Sequence, residues 1–508
     1  MHRPLTAEAE VAAELADVRP GLADRYPAEL PGARAAVLTR LWRALVHEPL
    51  PWVTAHESTG DGLTLRLSDG RRLRGPRADP YAIAAYVTEV RLDGTAYGDP
   101  ARLMTDLGVA HGTGFVAELG HSVASLALSR AGQLPVAAAD DPKEWPVRDW
   151  EWEQRVVDGH PYHPNCRSRP GFSVAEQLAY GPEHRPLVEL GLWPVPADEC
   201  LLTGDWPDEL RDGERLLIPV HPWQLTHVLK RGCERGLGGA RPLMSLRTLA
   251  LPGGPHVKTA LSARLTSSVR DISGYSIALS ATLSAFAESL AARTDGLLHI
   301  TRTLGAATAD SPDLAAVLRE SPQEYAGPGE RVVPVAALAT TELPADPAWL
   351  AAFARLTLTV GLQLLDLGVA LEAHGQNLLV VLDAEGTPRR LVYRDLADIR
   401  VSPARLARHG IPVPELTGRI VTDDETTLRR KLFGSLVAGA LAGTAGSAAA
   451  LGGALETAVR DLPRTSDLAV LREEPLPAKA LTLMRLSPRT PGDQWAPLPN
   501  PLRSGPLR

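Results

Sequence analysis

LEAHGQNLLVVLDAEGTPRRLVYRDL, residues 371–396, sets two strand-like runs, LLVVL (378–382) and RRLVY (389–393), on either side of DAEGTP (383–388). Gly386 and Pro388 mark a turn, so the segment reads as an antiparallel hairpin. Centred on Gly386, the hairpin puts position 377 opposite 395 and sets Asn377 beside Asp395 at its open end. Glu372, His374 and Gln376 stand just before it. An amide oxygen and a carboxylate held together suit a hard cation such as Mg2+ carrying a nucleotide's phosphates. The alternative is an ordinary polar strand end, against which the density of polar residues after an apolar helix argues. That helix, DPAWLAAFARLTLTVGLQLLDLG (346–368), has Asp346 as N-cap and Pro347 at its first position, and ends near Gly368.

A second cluster is HVKTALSARLTSSVRDIS, residues 256–273. As one strand it puts Lys258, Ser262, Arg264 and Thr266 on a shared face. A helix starting at Thr266 or Ser267 would add hydroxyls at a donor-rich helix end, with Arg270 one turn on. Upstream, SLRTL (245–249) supplies Ser245, Arg247 and Thr248. Together these groups suit a triphosphate; taken alone, the strand reads slightly better as a solvated polar face.

The third stretch is GHPYHPNCRSRPGFS, residues 159–173. His160, His163 and Cys166 have x2 spacing, and His184, Cys200 or His221 could complete a zinc set. Both histidines precede proline, and no second close ligand pair follows. A structural loop and an anion- or substrate-contact loop are the other readings, and the last leads.

Composition bounds the function. The chain has 508 residues, 44% of them hydrophobic, and a formal charge of -7. Length suggests two to four domains, and no general basic field exists to hold a nucleic acid. The three cysteines, Cys166, Cys200 and Cys233, form no close pair and fit a reducing, cytoplasmic setting. The first residues lack the apolar core of a signal peptide. Residues 432–455 are uncharged and long enough for a bilayer, but their Gly, Ala, Ser and Thr content favours a closely packed core helix or helix pair, so no membrane partner is expected. Neither GGPHVKT (253–259) nor GLGGAR (236–241) completes a phosphate-loop or dinucleotide motif, and no GxSxG elbow occurs. Three zones emerge: 1–140, mostly helical around a hairpin in LTLRLSDGRRLRG; 141–345, richer in Pro and Trp with short β-like runs; and 346–508, helices around the hairpin described above.

GHPYHPNCRSRPGF, IPVHPWQ (218–224), SLRTL, KTALSARLTSSVR, EAHGQNLLVVLD, YRDL and KALTLMRL with WAPLPNPL occur in that order, from about residue 150 to 502. In this the chain resembles the NRPS-independent siderophore (NIS) synthetases of the aerobactin-synthetase, IucA/IucC type. The resemblance implies an α+β fold with an open-palm arrangement of thumb (1–140), fingers (141–345) and palm (346–508), mixing helices with antiparallel sheets. It implies a homodimeric ligase using ATP and Mg2+ to adenylate citrate or a related acid or monoamide, then passing the acyl group to an amine or hydroxylamine.

By the same resemblance Ser245, Arg247, Thr248, Lys258, Thr266, Ser267, Arg270, His374, Gln376 and Asn377 would bind ATP. Glu372, Asn377 and Asp395 would serve Mg2+, while His160, His163, Arg167, Arg270 and His374 would meet the substrate. Arg270, Lys258 and His374 would be catalytic. Arg167 stands where the family usually carries Lys, a planar fork in place of a point charge. Two other classes share features: a small-molecule kinase, weakened by Gln376 where a catalytic Asp is expected, and a noncatalytic carboxylate- or siderophore-binding protein.

Overall fold

The structure, a computed structural model, describes residues 6–60, 62–133, 142–232, 235–266 and 268–503. It is an α+β fold of helices and mostly antiparallel sheets. The first zone packs helices Ala7–Val18, Arg25–His47, Pro100–Leu107 and Gly112–Ala131 against a five-stranded antiparallel meander spanning Val53 to Tyr97. The expected hairpin lies inside that meander, with Leu65 opposite Leu73. The last two strands, Val90–Leu92 and Thr95–Tyr97, are too short to show a period in sequence.

A nine-stranded sheet follows, in which His256–Thr259 lies between Thr248–Ala250 and Ala315–Arg319. Leu190, Ile218, Leu249, Val257, Ala316 and Leu318 form its core. The chain does not continue from Lys258 as one strand. Ala260 donates its N–H to Ala315 at 2.9 Å, and Leu261–Leu265 turns away to pair with Ser268–Arg270 in a separate hairpin. Lys258 therefore belongs to a different sheet from Ser262 and Arg264, contrary to the single-strand expectation. Thr266, at φ 54°, forms the hairpin turn and starts no helix. The next helix is Gly274–Ala291, capped by Ser273. Ser267 lies outside the described residues.

A four-stranded sheet in the order Leu298–Ile300, Pro388–Tyr393, Leu378–Leu382, Arg331–Pro334 takes its inner strands from the last zone and its outer strands from residues before 346. Asp346 caps Pro347–Leu367, accepting the N–H of Ala348 at 2.9 Å, and Gly368 closes the helix at φ 112°. The hairpin of the opening stretch forms, but its register shifts between Val381 and Leu382. Leu382 faces Pro388 and Val381 faces Arg390, leaving Arg389 as a bulge. The turn centres on Glu385, one residue before Gly386, which alone would set Asn377 opposite Tyr393; the extra residue of the bulge moves that partner on by one, so Asn377 meets Arg394 and not Asp395.

Among the described residues one helix, Pro347–Leu367, is long and apolar enough to cross a membrane, and 67% of its most apolar window is buried inside the protein. The uncharged 432–455 stretch is split between Glu425–Ala445 and Ala448–Ala458, which meet at 119°. Its glycines admit neighbours: a Cβ on Gly434 would lie 2.5 Å from the Trp495 ring.

The terminal hairpin, Leu476–Lys479 with Trp495–Leu498, joins both ends of the chain. Leu476 and Leu498 pack into the core around Pro347–Leu367, while Leu483, Leu486 and Ala496 pack into the N-terminal core. Glu48 fixes this arrangement by accepting the N–H groups of Thr482 and Leu483.

Candidate functional site

The centre of the site is Asp395, which follows the hairpin in the left-handed region at φ 72°. Its two oxygens accept the Lys258 ammonium at 2.9 and 2.7 Å, and Arg319 stands 3.8 Å away. Burial opposes ionisation of Asp395, but Lys258, Arg319 and Arg247 overcome it and hold the carboxyl far below its ordinary range. Lys258 is lowered, first by burial and then by the like charges of Arg247 and Arg319, against the pull of Asp395. One carboxylate thus holds several guanidinium and ammonium groups together, and an incoming polyanion would find them already assembled.

Arg247 donates to the carbonyls of Arg270 and Asp271 at 2.6 and 2.8 Å, tying the SLRTL loop to the end of the Leu261–Arg270 hairpin. Burial lowers its pKa to about 10, well above neutrality, so it stays a cation. Within that loop the Ser245 hydroxyl accepts the N–H of Thr248 at 3.2 Å. Arg270 donates to the Thr266 hydroxyl at 2.9 Å, and its charge acts on His163 and His374.

The histidines share one local device. His160 Nδ1 accepts the N–H groups of Tyr162 and His163, both at 3.1 Å; His163 Nδ1 accepts Asn165 N–H at 2.9 Å; His374 Nδ1 accepts Gln376 N–H at 3.3 Å. With Nδ1 an acceptor, each neutral ring carries its proton on Nε2. His163 is 2% exposed with no partner on Nε2. Burial lowers its pKa to about 3, with Arg485 and Arg270 adding to the effect. His160 is exposed as a residue, yet protein surrounds its imidazole, and burial, His163 and His374 lower its pKa well below the usual value. These rings are neutral N–H donors beside a guanidinium, suited to a carboxylate.

Two expectations are corrected here, for Arg167 and for the cation site. Arg167 does not join these groups. Its side chain is 4% exposed, and its guanidinium donates to the carbonyls of Val157, at 2.6 Å, and Val156 while pairing with Glu183 at 3.4 Å. A planar fork satisfies those acceptors where an ammonium would not. Cys166 packs in the N-terminal core with Ser122 Oγ 3.5 Å from its sulfur, so the x2 spacing makes no zinc set.

Glu372, Asn377 and Asp395 also fail to assemble as a cation site. Lys431 and Lys479 take the same oxygen of Glu372 at 3.1 and 2.9 Å. Burial works against ionisation of Glu372, yet these lysines and His374 draw its carboxyl down to about 2. Asn377 turns its amide toward the Glu372 carbonyl, 3.5 Å away. Among the described residues no group of three or more His, Cys, Asp or Glu is arranged for a metal ion. As they stand, these residues do not fit bound Mg2+.

The structure adds groups that the sequence reading left unassigned. Arg319 ends an apolar strand, where its charge alone was the signal. Lys479 and Arg485 come from KALTLMRL, and Arg485 pairs with Glu118, which also accepts Asn165 Nδ2 at 2.5 Å. Arg394 and Glu153 support the site from behind.

Neutral imidazoles and an assembly of Lys and Arg around one carboxylate make a site suited to anions within an α+β fold. Residues 149–340 match the IucA / IucC family model, and residues 347–490 match that of the ferric iron reductase FhuF-like transporters. Over residues 149–340 the chain is therefore similar to the IucA/IucC family.

Its fold is that of solved siderophore-synthesis proteins. The petrobactin biosynthesis protein AsbB of Bacillus anthracis str. Sterne superposes with TM-score 0.77 at 19% identity, covering 96% of this chain and 98% of that one. ATP-bound aerobactin synthetase IucA of Klebsiella pneumoniae gives 0.71 at 19%, covering 93% and 99%. In sequence, the citryl-spermidine/3,4-dihydroxybenzoyl-citryl-spermidine:spermidine ligase of Bacillus anthracis is 26% identical over 48% of this chain and 50% of its own length. Staphyloferrin A synthase of Staphylococcus aureus is 26% identical over 24% and 27%. The chain spans about half the length of the first curated relatives it matches.

Proposed function

We propose that this chain is an AMP-forming acid–amine ligase of siderophore biosynthesis. It would adenylate citrate, or a related di- or tricarboxylate or monoamide, with ATP, then join the acyl group to an amine or hydroxylamine. The observation that carries this reading is the gathering of Lys258, Arg247 and Arg319 around Asp395, with Arg270 and His374 at its edge. Cytoplasmic location and homodimeric assembly belong to the same reading.

Attack of a carboxylate oxygen on the α-phosphorus brings two anions together. Lys258, Arg247 and Arg319 offset that repulsion, and the Arg270 fork stabilises charge developing between the reactants. Ser245, Thr248, Thr266, Gln376 and Asn377 supply neutral donors and acceptors around the phosphates. His160 and His163 orient the acid through Nε2–H. His374, with its proton on Nε2, donates to the reacting carboxyl or phosphoryl oxygen, and aminolysis requires no protein nucleophile. Mg2+ enters only as the nucleotide's counter-ion; no step is assigned to it, because Glu372 and Asp395 are held by lysines.

The test is pyrophosphate release from ATP in the presence of citrate, succinate, a citrate monoamide or a 2-oxo dicarboxylate, with hydroxylamine as surrogate acceptor. At least one acid should give release well above the acid-free rate. Equal rates with and without every acid would remove the assignment.

A further inference from the structure

We infer that Glu153 is a positioning residue that holds the two loops of the nucleotide site in register, an inference that rests on the ligase reading. Glu153 ends the short helix Asp149–Glu153 and is 0% exposed. One carboxylate oxygen accepts the N–H of Met244 at 2.9 Å, immediately before Ser245 and Arg247. The other pairs with Arg394 Nη1 at 2.7 Å. Arg394 in turn donates through Nε and Nη2 to the carbonyl of Gln376 at 3.1 and 2.9 Å, and through its backbone N–H to Asn377 at 3.0 Å.

A single carboxylate therefore joins the loop carrying Ser245 and Arg247 to the turn carrying His374, Gln376 and Asn377. Asp395, the next residue after Arg394, holds Lys258. The linkage runs through the interior: Arg394 is 7% exposed. Beside it Asp149 pairs with His256 at 2.9 Å, two residues before Lys258, so this short helix anchors the phosphate-facing strand as well. A buried carboxylate without a partner is costly, so Glu153 and Arg394 are held to each other and transmit position from one loop to the other. Neither touches the reactants in this scheme; both act through the loops.

Glu153→Gln, Arg394→Gln and the double variant test this in the full chain. Hydrogen–deuterium exchange should rise at residues 243–248 in Arg394→Gln, although Arg394 makes none of the hydrogen bonds there, and at 374–377 in Glu153→Gln. The KM for ATP in acid-dependent pyrophosphate release should rise at least tenfold in each single variant, with the acid KM changed less than threefold and no further rise in the double variant. Where one single variant does not fold, the other carries the test; failure of both to fold overturns the proposal, since the pair would then serve the core as a whole. Folded variants whose distant loop keeps wild-type protection also overturn it. A wild-type chain that releases no pyrophosphate with any acid sinks the ligase reading instead, and the exchange result alone then decides whether the loops are coupled.

Discussion

Arg394 donates its backbone N–H to the carbonyl of Asn377 at 3.0 Å, so these two residues, and not Asn377 with Asp395, close the hairpin. The displaced Asp395 is free to leave the ladder, adopt φ 72°, and present both oxygens to Lys258. A turn centred one residue before Gly386, only partly offset by the bulge at Arg389, thus leaves Asp395 outside the ladder as a carboxylate that gathers cations.

If Lys258 offsets phosphate charge, Lys258→Met lowers acid-dependent pyrophosphate release by about 10²–10³-fold. The variant keeps its fold, because Arg319 and Arg247 still compensate Asp395. Steady-state kinetics alongside a thermal melt check this; a loss below threefold contradicts it.

Arg167→Lys should act on stability and leave substrate recognition alone. An ammonium cannot reach both carbonyls and Glu183, so the loss is about 3 kcal/mol, of the kind seen when a buried pair is broken. Denaturant unfolding should show it, with the acid KM of the folded protein unchanged within twofold. A raised acid KM without destabilisation would return Arg167 to the substrate site.

The buried histidines set the acid limb of stability. His221 is 0% exposed, its Nδ1 accepts Trp223 N–H at 3.1 Å, and burial lowers its pKa to about 3; His163 is lowered to the same value and His184 to about 4. Below its ordinary pKa of 6.5 the unfolded state binds the proton and the folded state does not. Stability is therefore full above that pH and is lost as pH falls toward 3. His221→Asn, which keeps a cap acceptor for Trp223, should flatten that slope by about 1.4 kcal/mol per pH unit. Urea unfolding across the window measures it, and an unchanged slope contradicts it.

Gly434→Ala should cost about 1–3 kcal/mol, since the added methyl meets the Trp495 ring in a packed interior. Thermal melts check this. A stability equal to wild type would mean that the terminal hairpin, which delivers Lys479, is not seated on this helix.

Periodicity and punctuation made the hairpin at 378–393 and the helix capped by Asp346 readable. The register was not: the turn centres on Glu385 and not on the glycine that marks it, and a bulge is a tertiary accommodation with no composition of its own. Alternation suggested one strand through Lys258 and Thr266; the break at Ala260 depends on its hydrogen bond to Ala315, far away in sequence. Arg167 looked like a ligand because it adjoins His163, and only Glu183 and the Val156 and Val157 carbonyls show where its charge goes. Lys479 and Arg485 reach the site because their segment folds back between two cores. Local pattern carries no information about such a return.

The central claim is that this site transfers an adenylyl group to a carboxylate. Phosphorus NMR of the products formed with ATP, an accepted acid and hydroxylamine tests it most directly. AMP and pyrophosphate in equal amounts, matched by hydroxamate, are the predicted result; acid-dependent ADP without pyrophosphate would contradict it.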